Sequence, residues 1–142
     1  MNYFIFQSVP QQFDLRDKLI PGEKDTWYAT RYRAEMQPGD IVFFWMGGDE
    51  RARGLYGWGR LESKAYAKPS WDSHGVDVQY EAKFATPILE DVVRKVPELD
   101  DMLLFRARQA TNFLLSEKQA RRLAKLIERH GASAPMVGGA IA

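Results

Sequence analysis

The residues best suited to chemistry in this sequence are four tryptophans, which all lie between residues 27 and 71. They are Trp27, Trp45, Trp58 and Trp71. A tryptophan ring stacks on flat ligands, and stacking on a nucleobase contributes about 1–3 kcal/mol. Trp58 lies between two glycines, so no neighbouring side chain covers its ring, whereas Trp45 stands in an apolar run where core packing is the default. The tryptophans therefore indicate a site for a flat ligand, with burial in the core as the alternative for each ring.

The residues that usually catalyse reactions or bind metals are sparse. The chain has no cysteine and two histidines, His74 and His130, which are far apart in sequence. Zinc sites need clustered ligands, and the acidic residues at 98–101 read as a solvated turn. The Gly-x-Ser-x-Gly pattern of serine hydrolases and the P-loop pattern of nucleotide-binding proteins are both missing from the sequence. We therefore expect a non-enzymatic protein with no catalytic residue, no metal and no cofactor.

The length and charge of the chain set further bounds. With 142 residues and 45% hydrophobic residues it can form one domain with one core. The net charge is +1, but acidic residues concentrate at 69–101 and basic residues at 102–142, which fits a surface with one anion-attracting face. Residues 1–6 lack the basic region of a signal peptide, and no run reaches the ~18 apolar residues of a membrane span. We expect a soluble, cytoplasmic protein that does not contact a membrane.

The elements that must position these residues follow from hydrophobic periodicity and turn residues. Pro38-Gly39 predicts a tight turn before an apolar strand that is buried on both sides. Glycines in the next strand indicate bulges, strong curvature or a ligand that approaches the backbone. Residues 76–84 alternate, so their apolar side chains should share one face, and Pro87 should end that strand. The predicted strands are 2–8, 41–46, 55–66 and 76–84, with short extended segments at 102–105 and 112–115.

Helices are predicted at four places. The first three are short and lie at 11–19, 27–36 and 88–96. The last begins after Ser116, which forms a capping box with Gln119, and ends at Gly131. The whole pattern predicts an α+β domain built around a curved antiparallel sheet or small barrel. We assign this domain to residues 1–131 and expect residues 132–142, which are small and apolar, to form a flexible tail.

Four blocks of sequence resemble the EVE domain, a family of the PUA superfamily that is related to the YTH domain. They are Trp27-Tyr28-Ala29-Thr30-Arg31, Met36-Gln37-Pro38-Gly39-Asp40 with the strand that follows it, Gly54-Leu55-Tyr56-Gly57-Trp58-Gly59, and Arg106 to Ser116. The last block resembles an Arg-x-x-Gln-Gly-Thr strand of the family, with Ala110 in place of its glycine. The resemblance covers residues 2–130 and implies a PUA-like curved antiparallel β-barrel with flanking helices and a C-terminal helix.

The resemblance also implies a function, which is to bind a modified base of DNA or RNA after the base has left its strand. The base would enter an aromatic pocket, for which the candidate walls are Trp27, Phe44, Trp45 and Trp58. Arg31, Gln109 and Asn112 are the candidates for reading the base edge, because asparagine and glutamine carry a donor and an acceptor together. Arg106 and Arg108 are candidate phosphate ligands. Some members of the family accompany restriction systems, so such a system is an expected partner of a monomeric protein.

Two other functions stay open on the sequence alone. ASCH domains are PUA-like relatives that include metal-independent ribonucleases, and Lys24, Tyr28 and Arg31 are residue types suited to such a reaction. Alternatively, Trp71 and the acidic segment 90–101 face a partner, and the chain is a protein or small-molecule interaction module. For Asn112, a turn role before the last helix is the alternative to base reading.

Overall fold

The computed structural model describes residues 1–138, in which seven strands and three α-helices form an α+β domain. The strands are β1 (Tyr3–Ser8), β2 (Lys24–Tyr28), β3 (Ile41–Met46), β4 (Gly54–Leu61), β5 (Tyr66–Lys68), β6 (Ser73–Leu89) and β7 (Asn112–Leu115). The helices are α1 (Leu15–Lys18), α2 (Glu90–Arg94) and α3 (Glu117–Arg129), and single 3₁₀ turns lie at Arg33–Glu35, Pro69–Trp71 and Leu103–Phe105. The predicted fold class is confirmed.

All strands join one curled sheet in the order β2-β6-β4-β3-β1-β7, and β5 pairs with β6. Every pairing is antiparallel except that between β1 and β3, which is parallel. Register shifts interrupt the pairing of β4 with β6 between Leu55 and Gly57 and between Trp58 and Gly59. Bulges of this kind bend a strand and increase its twist, so the glycines of β4 curve the sheet as the sequence indicated.

The sheet carries a hydrophobic core on each face, because alternate side chains of a strand point to opposite faces. In β3, Phe43 and Trp45 belong to the α3-side core, which also contains Leu123 and Ile127 of α3. Side chains of the other parity belong to the α1-side core, which contains Leu15 of α1 and Leu19 directly after it. Those from β1, β3, β2 and β6 include Phe6, Phe44, Trp27 and Tyr80. The strand β3 is therefore buried on both faces, as predicted for residues 41–46.

Four predictions differ from the structure. Trp27 and Tyr28 are not helical but end β2, where they pair with Val76 and Gly75 of β6. Pro87 does not end β6. It lies where the hydrogen-bonded ladder with β4 is interrupted, so the backbone N–H that proline lacks is not needed there. Residues 102–105 contain a 3₁₀ turn rather than an extended segment, and 55–66 divides into β4 and the start of β5.

The alternating face of β6 is also divided. Val76, Val78 and Tyr80 belong to the α1-side core, whereas Phe84 belongs to the α3-side core. The switch follows an extra residue, Glu81, which lies between the partners of Gly59 and Trp58 in the ladder. A bulge residue shifts the alternation of the strand beyond it, so one regular pattern in the sequence serves two cores.

The segment after α3 returns across the α3-side core. The indole nitrogen of Trp58 donates a hydrogen bond of 2.9 Å to the carbonyl of Ser133, and the Gly138 amide donates one of 3.0 Å to the Tyr3 hydroxyl. Ala134 and Val137 pack against the same core. The predicted tail therefore contacts the domain as far as residue 138, and its last part, 139–142, lies outside the described residues. No helix within 1–138 is long and apolar enough to span a bilayer.

Candidate functional site

The largest concentration of predicted site residues lies at the loop 106–111, which connects the third 3₁₀ turn to β7. This loop, together with Phe105, Thr30 and Arg31, lines a cleft of about 730 Å³, hereafter the loop cleft. On its other side the loop borders a second cavity of about 400 Å³, which is also lined by Gln7, Ser8, Val9 and Gln12. The loop is thus accessible from two sides, and segments that are 75 or more positions apart in the sequence meet across it.

The buried amide of Gln7, at the end of β1, holds the loop in place. Its Nε2 donates to the carbonyl of Ala110 at 2.7 Å and to that of Arg108 at 3.3 Å. Its backbone amide donates to the carbonyl of Thr111 at 2.7 Å. Ala110 has an ordinary backbone conformation rather than a left-handed one, so alanine is accommodated there without strain. The sequence did not indicate a role for Gln7, because no local pattern in β1 shows which carbonyls its side chain binds.

The opposite wall of the loop cleft is held by Asn112, the first residue of β7. Its Oδ1 accepts from the Thr30 amide at 2.8 Å and from the Arg31 amide at 3.4 Å, while its Nδ2 donates to the Tyr28 carbonyl at 3.0 Å. The side chain is fully buried. It bridges the two edge strands of the curled sheet, β2 and β7, and its amide is committed to the backbone of residues 28–31 in this structure.

Arginines surround the buried carboxylate of Glu90 at one end of the loop. Arg108 donates two hydrogen bonds to it, at 3.0 and 3.2 Å, and the Nε atoms of Arg53 and Arg94 lie 3.4 and 3.8 Å from it. Burial raises the pKa of Glu90, but the Arg108 hydrogen bonds and the three positive charges outweigh burial and leave that pKa below its ordinary value. The Glu90 hydrogen bond in turn raises the pKa of Arg108. One negative charge thus fixes Arg108 beside the cleft and leaves the cluster net positive.

The four predicted aromatic walls lie in the two cores and do not share one pocket. Trp27 and Phe44 are in the α1-side core, with ring centroids 5.3 Å apart. Trp45 and Trp58 are in the α3-side core. Trp45 is fully buried, and the exposed fractions of Trp27 and Trp58 are 6% and 7%. The indole nitrogen of Trp27 donates to the Tyr80 hydroxyl at 2.9 Å, so this ring is bonded as well as packed.

The aromatic side chain that does line the loop cleft is Phe105, which the sequence analysis missed although it directly precedes the Arg106 block. Its ring packs edge-on against Trp45 with centroids 5.9 Å apart, and the Arg94 guanidinium lies 4.4 Å from its centroid. Trp45 therefore lies behind Phe105, which separates it from the cleft. Its indole nitrogen and the buried hydroxyl of Ser8, in the second cavity, are both without a hydrogen-bond partner within residues 1–138.

Of the other predicted polar residues, four meet at one place. Arg31, Arg106, Arg108 and Gln109 all line the loop cleft. Lys24 does not join them, because it pairs with Glu62 at 3.1 Å in a separate acidic cavity. Within the part of the chain that the structure describes, no three histidine, cysteine or acidic side chains come together as metal ligands would.

Several solved structures share this fold. A hypothetical protein from Leishmania major superposes with a TM-score of 0.75 at 20% identity, over 92% of this chain and 97% of its own. Rpa0253 from Rhodopseudomonas palustris gives 0.70 at 20% identity, over 92% and 97%. Human THYN1, solved in complex with DNA that contains 5-methylcytosine, gives 0.69 at 17% identity, over 90% and 98%. At these identities the likeness establishes the fold.

Sequence comparison identifies the family. Among proteins with curated functions, none matches this chain. The family model described as EVE domain matches residues 2–126, which include the strands and loop that build the cleft. The resemblance found in the four sequence blocks is therefore confirmed, and the chain belongs to the EVE domain family.

Proposed function

We propose that this protein is a nucleic-acid-binding module that holds a modified base, swung out of its strand, in the loop cleft. The observation that carries the proposal is the meeting of Arg31 with Arg106, Arg108 and Gln109 across one cleft. Its volume of about 730 Å³ lies within the range of small-ligand pockets. Positive charge around a site of that size suits a base that arrives with its phosphates.

The residues of the cleft divide into three roles. Gln109 offers a donor and an acceptor to the edge of the base, and Phe105, which is 6% exposed, forms an apolar part of the cleft wall. Arg106 and Arg108 contact phosphates, which position the strand without reading its sequence. Glu90 acts through Arg108, whose guanidinium it holds by two hydrogen bonds. Gln7 and Asn112 are positioning residues for the two walls.

Two further observations support a ligand at this place. Buried polar groups are nearly always hydrogen-bonded, yet the Ser8 hydroxyl in the second cavity, on the other side of the loop, has no protein partner in residues 1–138. A strand that continues past the loop into that cavity has polar atoms to offer it. The human THYN1 protein of the same fold was solved with DNA containing 5-methylcytosine, so 5-methylcytosine is the modified base to test first. We propose that the protein acts by binding alone, without catalysis.

The test is a titration of short labelled single strands of DNA and RNA, with plain cytosine or with one central 5-methylcytosine, followed by fluorescence anisotropy. We expect one modified strand to bind more tightly than its plain counterpart. Gln109→Ala should reduce this preference and leave the salt dependence unchanged. Arg106→Ala should weaken both strands alike and reduce the slope of log K against log salt by about 0.7, the value for one phosphate contact on a single strand.

The control is Arg129→Ala, which removes the same charge from an exposed position at the end of α3, away from the cleft. It should leave both affinity and slope near the wild-type values. If no strand binds the folded protein, or if Arg129→Ala weakens binding as much as Arg106→Ala, the loop cleft is not the binding site.

A further inference from the structure

A second flat surface lies on the outer face of the sheet and plays no part in the loop cleft. It consists of Tyr28, Tyr66, Lys68 and Trp71, hereafter the aromatic patch. Tyr28 of β2 and Tyr66 of β5 both pair with Gly75 of β6, one from each side. Directly paired residues share a face, and these two tyrosines are 45% and 37% exposed.

Trp71 completes the patch from the 3₁₀ turn between β5 and β6. Its ring stacks on that of Tyr28 with centroids 4.5 Å apart and an angle of 32° between the planes. The Lys68 ammonium lies 4.7 Å from the centroid of the Trp71 ring. Trp71 is partly exposed, unlike the other three tryptophans, which are buried. The patch therefore presents stacked rings with a positive charge to solvent.

The backbone is arranged to place the Trp71 ring over the sheet. Gly75 has no side chain, which lets neighbouring side chains pack over it, and a Cβ atom there would lie 3.0 Å from Thr26 Cγ2 and 3.5 Å from Trp71 Cζ3. Asp72 takes a left-handed conformation, with φ of 54°, and turns the chain from Trp71 into β6. The core does not require this arrangement, because the apolar side chains of the same strands, such as Trp27 and Val76, point to the α1-side core on the opposite face.

The aromatic patch adjoins the loop cleft. The Tyr28 carbonyl accepts from the Asn112 side chain, and the same side chain accepts from the Thr30 amide in the cleft wall. Three residue steps separate Tyr28 from Arg31, which is at most about 11 Å along an extended chain. The nearby acidic side chain of Asp77 accepts hydrogen bonds from Tyr66 and Thr26, at 2.6 and 2.8 Å. A nucleic-acid strand bound in the cleft would therefore have exposed rings and a lysine close to its path.

We propose that the aromatic patch stacks an unpaired base of the same single strand, next to the base held in the loop cleft, while Lys68 moves to its phosphate. This inference rests on the proposed function. Aromatic rings beside a positive charge are the usual means of holding single-stranded nucleic acid, because every base has a face that stacks. The patch would add affinity for any neighbouring base and no preference for the modification.

The experiment compares the wild type with Trp71→Leu, which removes the flat ring, and Trp71→Phe, which keeps one. Each protein is titrated with a short single strand carrying one central 5-methylcytosine, as DNA and as RNA, and with the corresponding mononucleotide. We expect Trp71→Leu to weaken strand binding by about 5- to 150-fold, the range for loss of one stacked base. Mononucleotide binding should be unchanged, and Trp71→Phe should retain most of the strand affinity.

A second readout follows the tryptophan fluorescence of the same proteins. Because Trp71 is the exposed tryptophan, the strand should quench the wild type strongly and Trp71→Phe weakly, although both bind it. If wild type and Trp71→Leu bind the strand equally, the patch is not a stacking site, while the loop cleft proposal is unaffected. If Trp71→Leu loses the mononucleotide as well, the ring supports the cleft and the inference is wrong. If the wild type binds no strand, both proposals fail together.

Discussion

At the scale of single residues, two buried side-chain amides shape the proposed site through hydrogen bonds to the protein backbone. Gln7 fixes the carbonyls of the loop 106–111, and Asn112 fixes the backbone of residues 28–31. Asn112 Oδ1 accepts from the Thr30 amide and Nδ2 donates to the Tyr28 carbonyl, so the side chain replaces the backbone bonds that a neighbouring strand would make. Its first role is therefore to join the edges of the curled sheet, and that role needs no ligand.

We expect Asn112→Ala to destabilise the protein clearly. The substitution leaves the Thr30 amide and the Tyr28 carbonyl without their partner, and each unsatisfied buried group costs about 1–3 kcal/mol. The loss should appear as a lower midpoint in urea-induced unfolding with an unchanged slope. Leu114→Ala is the matched control, since Leu114 lies on the same strand with a solvent-exposed side chain. An unchanged midpoint for Asn112→Ala would show that the sheet edges are held together by other contacts.

At the scale of elements, Glu90 connects three parts of the chain, and its backbone amide also donates to the Arg53 carbonyl at 3.0 Å. It begins α2, and its carboxylate binds Arg53 from the segment before β4 and Arg108 from the loop 106–111. A buried ion pair of this kind is costly to break, because the remaining charges stay behind unpaired. Loop, helix and strand are thereby tied at the edge of the candidate site.

The Glu90 cluster predicts a specific pH dependence of stability. The folded-state pKa of Glu90 is lowered, so the unfolded chain binds its proton first as the pH falls. The contribution of Glu90 is therefore fully present above its unfolded pKa of about 4.3 and is lost as the pH falls through the lower folded value. Glu90→Gln should be less stable than the wild type at pH 7, and the difference should narrow below about pH 4.

Urea unfolding of both proteins between neutral pH and pH 3 measures this difference directly. Other carboxyl groups with lowered pKa values, such as Asp14, Asp49 and Glu98, titrate equally in the two proteins and cancel in the comparison. A difference in unfolding free energy that stays constant over this range would mean that the ionisation of Glu90 does not contribute to stability.

Elements with a local signal were predicted correctly from the sequence. The predicted turn at Pro38-Gly39 is present, with a positive φ at Gly39, and the Ser116 capping box with Gln119 is present at the start of α3. The segment 27–36 was predicted as a helix, but its first two residues, Trp27 and Tyr28, belong to β2. They pair with β6, some 50 residues later, and no local pattern shows that pairing. Tertiary contacts override weak local preferences in such segments.

The candidate site was predicted unevenly for the same reason. The resemblance named Arg31, Arg106, Arg108 and Gln109, and the fold brings them together. Gln7 and Glu90 were missed because their partners lie 103 and 18 positions away, in elements whose packing the sequence does not reveal. The rings of Trp27 and Trp58 looked available beside polar residues and glycines, but the curled sheet gives each of its faces a core that contains one of them.

At the scale of the whole molecule, one curved sheet separates two cores, and each face has its own cover. The short α1 contributes to one side, whereas α3 and the segment that follows it cover the other. Residues 132–138 are part of that cover, since Ser133 accepts the indole hydrogen of Trp58 and Val137 packs on the core. The end of the described chain thus helps to shield Trp58 from solvent.

Truncation after Gly131 should therefore destabilise the protein and expose Trp58. The lost hydrogen bond and apolar contacts predict a lower free energy of unfolding by about 1–3 kcal/mol, and the tryptophan emission of the folded protein should shift to longer wavelength. Truncation after Gly138 is the matched control, because it keeps every contact named here, including the bond from the Gly138 amide to Tyr3. Thermal unfolding and emission spectra of the two truncated proteins measure both effects. Equal stability and equal emission would mean that residues 132–138 rest on the core without supporting it, whereas a loss confined to the shorter protein makes them part of the domain.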